Sequence, residues 1–367
     1  MTIYIVDIEP VETRYTKQWR EHLPQQLKQH TNQPVVSVSG PDQLQTTTPG
    51  AFLNFAGTNS YKSDQLQQIA EMFEQNKIQD GDYFLYTDAW NPTVIQLRYM
   101  AELLGVKINI GGLWHAGSYD PQDFLGRLIG DAPWVRSAEH SMFSCYDQNY
   151  FATDFHIDMF AEGVCDWTRD DEPFSTTDTV ERVGWPMEYL ETALESYRGR
   201  SKTDTILFPH RLSSEKQLDI FKDLAAEMPE YEWIVCQDQQ LSKDQYHELL
   251  ARSKMVFSAN LQETLGISWY EGALVGALPL VPDRLSYTEM ADQDFKYPSM
   301  WTLNWDMYQA HKPQLVHRIK EMITNYDTYL PVLNRQTEKL NKDFFSGDAL
   351  YKAIAATDIP VQNNSEQ

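Results

Sequence analysis

Twice along the chain, a series of short β-branched and aromatic runs alternates with longer stretches whose apolar residues recur at helical spacing. Such alternation predicts βαβ units, and these demand a parallel sheet with helices on both faces. The first series opens on "TIYIVDI" and continues through "QPVVSVSG", "AFLNFAG" and "GDYFLYTDAW", each read as a strand. "PTVIQLRYMAELLGV" follows with helical spacing and Pro92 near its first turn. "KINIGGLWHAG" is then a strand running into a glycine-bearing loop, and "HSMFSCYDQNYFATDFHIDMF" and "VERVGWP" close the series.

The second series reads "TILFPHRL" (strand), "EKQLDIFKDLAAEM" (helix), "YEWIVCQ" (strand), "DQYHELLARS" (helix), "KMVFSAN" (strand), "TLGISWYEGALVG" (helix) and "LPLVPDR" (strand). A long helical stretch, "LVHRIKEMITNYDTYLPVLNRQTEKLNKDFF", comes after it, and the tail "IPVQNNSEQ" is expected to fray. At 367 residues the chain exceeds a comfortable single core. The expected fold class is therefore α/β, with two Rossmann-like doubly wound domains facing each other across a cleft. Residues 1–187 form the first, 188–203 a linker, 204–340 the second, and 341–367 a terminal helical segment with its tail. Sites are expected at the carboxyl ends of strands.

Bulk properties narrow the function. The formal net charge of −23 works against non-specific nucleic-acid binding, so any such contact needs a local groove. Three widely spaced cysteines without a CxxC pair argue against a disulfide framework or a structural zinc site. "MTIYIVDIEP" lacks the features of a secretion signal, and no apolar run reaches the length of a bilayer span. A soluble, cytoplasmic, reduced protein with no membrane contact is expected.

The chemistry-bearing residues cluster at strand ends of the second series. "FPHRLSSEK" places Arg211 and Lys216 just past a strand, where two cations suit a diphosphate; read by themselves they are also ordinary surface cations. In "NLQETLGISWYEGALVGALPLVP", Glu263 precedes a helix whose first amides, Leu265, Gly266 and Ile267, form a natural anion site. Glu271 lies eight positions beyond Glu263, a rotation of roughly 80° at 3.6 residues per turn. Both carboxylates can border one elongated ligand, and a carboxylate accepts from paired hydroxyls. Helix capping by Glu263 and solvation of Glu271 is the alternative. In the first series, Asp88, Trp90 and Trp114 stand at strand ends as acceptor-side candidates, with core packing the alternative for each tryptophan.

"HRLSSEK" followed by "NLQETLGISWYEGALVGALPLVPDRLSYTEM" resembles the donor-binding half of retaining GT-B glycosyltransferases, with their R-x4-K segment and E-x7-E helix. The resemblance covers roughly residues 205–290 in motif detail. It implies sugar transfer from a nucleotide-diphosphate donor, UDP- or GDP-linked, to an acceptor hydroxyl with retention. Arg211, Lys216 and the Leu265–Ile267 amides would hold the diphosphate, Glu263 the sugar, and Glu271 the ribose. His115 of "GGLWHAG" would face donor and acceptor, and the terminal segment would cross back to the first domain. Neither a metal nor a cofactor beyond the donor is implied.

The chain also departs from that pattern. "DIEPVETRYTKQW" has no glycine where the first loop usually carries them, "ETLG" replaces E-x-F-G, and His210 precedes the arginine in place of glycine. "GALPLVPDRLSYTEM", "FKYPS" and "LFPHRLSSEK" look most like the branch with tRNA-queuosine mannosyltransferases, and phage DNA-base glycosyltransferases form a comparable class. That narrower likeness implies a hydroxyl on a modified nucleobase as acceptor. A glycan, lipid or small-metabolite acceptor, and a catalytically silent nucleotide-sugar-binding protein, are the alternatives. An epimerase or phosphorylase on the same fold lacks any signal here.

Overall fold

The computed structural model describes residues 1–11, 14–41, 54–130, 132–165 and 179–357. The chain divides into two compact units. The first comprises residues 1–152, 156–186 and 347–367, and the second residues 153–155 and 187–346.

The first unit runs β1 (Ile3–Val6), α1 (Tyr15–Thr31), β2 (Val35–Val38), α2 (Phe55–Glu74), β3 (Tyr83–Tyr86), α3 (Thr93–Leu104), β4 (Asn109–Leu113), α4 (Phe124–Ile129), α5 (Pro133–Cys145), β5 (Gln148–Phe151), α6 (Asp154–Cys165) and β6 (Val180–Arg182). Among the described residues its six strands are all parallel, in the order β2-β1-β3-β4-β5-β6. β1 and β3 are buried along their whole length, the pattern of strands covered on both faces.

The second unit runs α7 (Tyr189–Leu194), β7 (Thr203–Phe208), α8 (Leu218–Glu227), β8 (Glu232–Val235), α9 (Lys243–Arg252), β9 (Ser253–Phe257), α10 (Ile267–Leu274), β10 (Leu278–Pro282), α11 (Tyr287–Met290), β11 (Lys296–Tyr297), α12 (Trp305–Thr324) and α13 (Tyr326–Asp343). Its sheet is parallel too, in the order β11-β10-β9-β7-β8. The last helix, α14 (Asp348–Ala356), belongs to the first unit and lies against α1, where Tyr351 meets the His30 ring at 4.8 Å.

Three expectations are corrected. "AFLNFAG" is no strand: its first three residues lie outside those described, and Phe55 begins α2. Asn54 caps that helix by accepting from the Gly57 amide at 2.9 Å. The stretch 188–203 is not a free linker but carries α7, which packs on α10. In "KINIGGLWHAG", Gly111 and Gly112 sit inside β4, not in a loop. A Cβ on Gly111 would lie 2.1 Å from the Tyr83 hydroxyl, so the glycine clears space for a neighbouring strand's tyrosine. The tail "IPVQNNSEQ" lies outside the described residues.

Both sheets reverse their winding at one place, between β1 and β3 in the first unit and between β7 and β9 in the second. In open α/β sheets such a switch point opens a crevice beyond the carboxyl ends of the strands. At the first, Asp7 follows β1 as a buried carboxyl that accepts from Tyr61 at 2.6 Å, Ser39 at 2.6 Å and Gln65 at 2.9 Å. Burial outweighs these donors and pushes it up from 3.8 to about 6. The folded state thus binds a proton more readily than the unfolded one. The stability it contributes is complete below pH 4 and is lost as pH rises through 6. Asp7→Asn keeps the hydrogen bonds, because its amide can donate to Ser39. It is expected to stabilise the protein by about 1–3 kcal/mol at pH 7.5 and to flatten the fall in Tm between pH 4 and 7. An unchanged Tm profile refutes this reading of Asp7.

Candidate functional site

At the second unit's switch point, the loops after β7 and β9 are bound to each other. Glu215, 1% exposed, accepts from Arg211 Nη2 at 3.2 Å and from the Ser213 hydroxyl, while its carbonyl accepts from Leu261 N at 2.8 Å. Lys216 ends a 3-10 turn (Ser214–Lys216) and points its ammonium inward. Nζ donates to the Gln262 carbonyl at 2.5 Å and lies 3.5 Å from Glu263 Oε2. Lys216 is thus a fixed, buried cation and not an ordinary surface one, whereas Arg211 keeps 39% of its side chain exposed.

Glu263 sits in a dense polar shell. Asn260 Nδ2 donates to its Oε2 at 3.2 Å and to Tyr287 Oη at 3.1 Å, and Tyr287 meets the Ser258 hydroxyl at 3.0 Å. Burial opposes its ionisation, yet the charges of Lys216 and Arg211 outweigh burial and hold the carboxyl below its ordinary range. His210 is driven the other way, down to about 4, by burial and then by Lys216, so it is neutral at pH 7. Behind the loop, Arg284 donates to the carbonyls of Asn260 (2.7 Å), Ala259 (2.7 Å) and Ser299 (2.9 Å) and to the Thr302 hydroxyl (3.0 Å). A guanidinium used on carbonyls in this way locks the loop's backbone.

Gly266 starts α10 with φ +81, and a Cβ there would lie 2.3 Å from Trp269 Nε1. This left-handed residue turns the chain so that the following amides point out of the helix end. Among the described residues, no hydrogen bond uses the backbone N–H of Leu265, Gly266 or Ile267. Glu271 lies on the same helix with 13% of its side chain exposed, and it accepts from Tyr246 Oη at 3.2 Å.

In the first unit the candidates separate. Asp88 follows β3, pairs with Lys62 at 3.2 Å and caps the Trp90 amide at 3.2 Å. Trp90 is partly exposed and donates Nε1 to Glu139 at 2.9 Å. Trp114 is corrected: it is fully buried in the core beside Phe151 and Phe160 and donates Nε1 to Asn149 at 2.8 Å, leaving no face for a sugar. His115 is partly exposed, but both ring nitrogens are spent within the unit. Nε2–H donates to the Thr87 carbonyl at 2.7 Å, so Nδ1 accepts from Tyr15 Oη at 2.9 Å. Burial lowers its pKa, so the ring is neutral.

Sequence reasoning missed Asn260, Tyr287, Arg284, Tyr246 and Glu9. Glu9 is a carboxylate near Lys62 and Asp88 that burial pushes up. Only Asn260, three residues before Glu263, had a signal in its spacing. Among the described residues, no group of His, Cys, Asp and Glu side chains is arranged to hold a metal ion, and no helix is long and apolar enough to cross a membrane.

No protein-family model and no curated protein matches the chain. Solved structures do resemble it. HepE from Anabaena, in complex with UDP and glucose, is 12% identical over 97% of this chain and 98% of its own, with a TM-score of 0.57. A glycosyltransferase from Rickettsia africae is 13% identical over 96% and 98%, at 0.53. The pneumococcal O-GlcNAc transferase GtfA, in complex with UDP and GlcNAc, is 13% identical over 79% of this chain and 59% of its own, at 0.51. The chain therefore has the two-domain α/β fold of GT-B glycosyltransferases.

Proposed function

We propose that this protein is a retaining glycosyltransferase that moves a sugar from a UDP- or GDP-linked donor to an acceptor hydroxyl. One observation carries the reading: at the β7/β9 switch point a buried Lys216–Glu263 pair stands just before three unspent amides at a helix start. Arg211, Lys216 and the amides of Leu265, Gly266 and Ile267 take the diphosphate. As the sugar–phosphate bond breaks, charge accumulates on the departing diphosphate, and these preorganised donors stabilise it. Glu263, kept ionised, accepts from the sugar's hydroxyls, and Glu271 accepts from the ribose diol. Asp88 and Trp90 serve the acceptor, with His115 as a neutral part of that wall and not a proton carrier. The UDP-glucose bound to HepE and the UDP and GlcNAc bound to GtfA support the donor class.

The narrower form of the proposal places the acceptor hydroxyl on a modified nucleobase, in phage-type hydroxymethylated DNA or in tRNA, within the cytoplasm. Its support is the likeness of "GALPLVPDRLSYTEM" and "LFPHRLSSEK" to that branch. The net charge of −23 favours a second reading, in which the acceptor is a glycan or small metabolite. Thermal shift and hydrolysis with UDP- and GDP-sugars test the donor. Modified DNA, tRNA and small sugars then compete as acceptors, and the anomeric configuration of the product reports retention. No shift and no hydrolysis with any donor overturns the proposal.

A further inference from the structure

Glu271 is served from one side by two consecutive residues of α9 that belong to none of the motifs above. Tyr246 donates its hydroxyl to Oε2 at 3.2 Å. His247 places Nε2 3.8 Å from Oε1, and that ring nitrogen is buried and has no hydrogen-bond partner. His247 is 3% exposed, with the Tyr197 ring edge-on at 5.4 Å. We propose that Tyr246 and His247 are positioning residues that aim the Glu271 carboxylate at a vicinal diol, and so set a preference for ribonucleotide over 2′-deoxyribonucleotide donors. This deepens, and rests on, the nucleotide-sugar reading above.

The argument is one of available lone pairs. A carboxylate offers about four acceptor directions. Tyr246 occupies one on Oε2. His247 covers a second, on Oε1, after closing by roughly 0.8 Å to ordinary hydrogen-bond length. Two directions remain, one per oxygen, and two vicinal hydroxyls match them. A diol binds both oxygens together only if the carboxylate plane is held, because a rotating side chain loses the second contact to entropy. Tyr246 suits the holding role: burial, and then the charge of Glu271, raise its phenol far above the ordinary value, so it stays a donor. A buried donor left short of its acceptor is costly, which favours the closure that a bound diol would complete.

The test is calorimetric binding of UDP and 2′-deoxy-UDP to the full chain. Wild type is expected to prefer UDP by roughly tenfold, the weight of one hydrogen bond to a charged group. Tyr246→Phe and His247→Ala should each shrink that preference to within about twofold, as should Glu271→Gln. His247→Gln, which keeps a donor, should lie nearer wild type. A preference that survives in Tyr246→Phe and His247→Ala, even if overall affinity falls, overturns the inference and leaves the donor reading standing. Failure of wild type to bind UDP, 2′-deoxy-UDP and, titrated in the same way, GDP and 2′-deoxy-GDP overturns both.

Discussion

Replacing Lys216 with methionine is expected to lower kcat/KM for sugar transfer by roughly 10²–10³-fold, the usual weight of one preorganised charge-stabilising donor. Methionine fills much of the same volume, so the loss isolates the charge. The substitution also reaches the fold. Glu263, whose side chain is only 17% exposed, would be left without its cation, and breaking a buried pair from one side costs at most roughly 3–5 kcal/mol. Arg211→Ala, at a side chain 39% exposed, should by contrast depress turnover far more than stability. The double variant Lys216→Met/Glu263→Gln separates the two effects, because a neutral pair leaves no orphaned charge. It should recover most of the stability and none of the turnover. A Lys216→Met enzyme within a few-fold of wild type in kcat/KM would remove Lys216 from the diphosphate site.

Gly266→Ala should be the most damaging single-atom addition in the second unit. At φ +81 an alanine costs about 1–2 kcal/mol in backbone strain, and its Cβ would press on a fully buried Trp269 at 2.3 Å. Overpacking of that kind adds about 1–3 kcal/mol, so a total of roughly 2–5 kcal/mol is expected in denaturant unfolding. Relief of the clash must rotate the helix start, which also swings the amides of Leu265 to Ile267. Affinity for UDP should fall roughly 10–100-fold, as for the loss of a charge-assisted hydrogen bond. Gly81→Ala is the control. It has a similar φ of +86 but nothing within 4 Å, so it should cost only the backbone strain and leave UDP binding intact. Equal effects on UDP affinity in the two variants would sever the helix start from the ligand.

Most of the fold is legible in the sequence for one physical reason. Parallel strands covered on both faces must be continuously apolar, so "YFLY" and "LPLVP" announce themselves. α2 escapes because its first turn is as apolar as a strand, and only the Asn54 cap distinguishes it. In the candidate site, residues are legible where local spacing places them, as with Glu263 just before α10 and Glu271 on it. They are not legible where burial decides. Trp114 and Trp90 are both tryptophans near strand ends, yet one is core and the other reaches the surface. Lys216 looks like a surface cation until the β9 loop closes over it. Arg284, Asn260 and Tyr287 act through tertiary hydrogen bonds that leave no periodic trace.

The path of the chain also sets an order of manufacture. The first unit contains α1 near one end of the chain and α14 after residue 347, while the second unit lies almost wholly between them. A ribosome therefore releases everything the second unit needs before it releases the helix that covers α1. Domains commonly complete in the order they are made. Here the unit that is begun first is finished last, and its α1 surface must wait, uncovered, while the second unit folds.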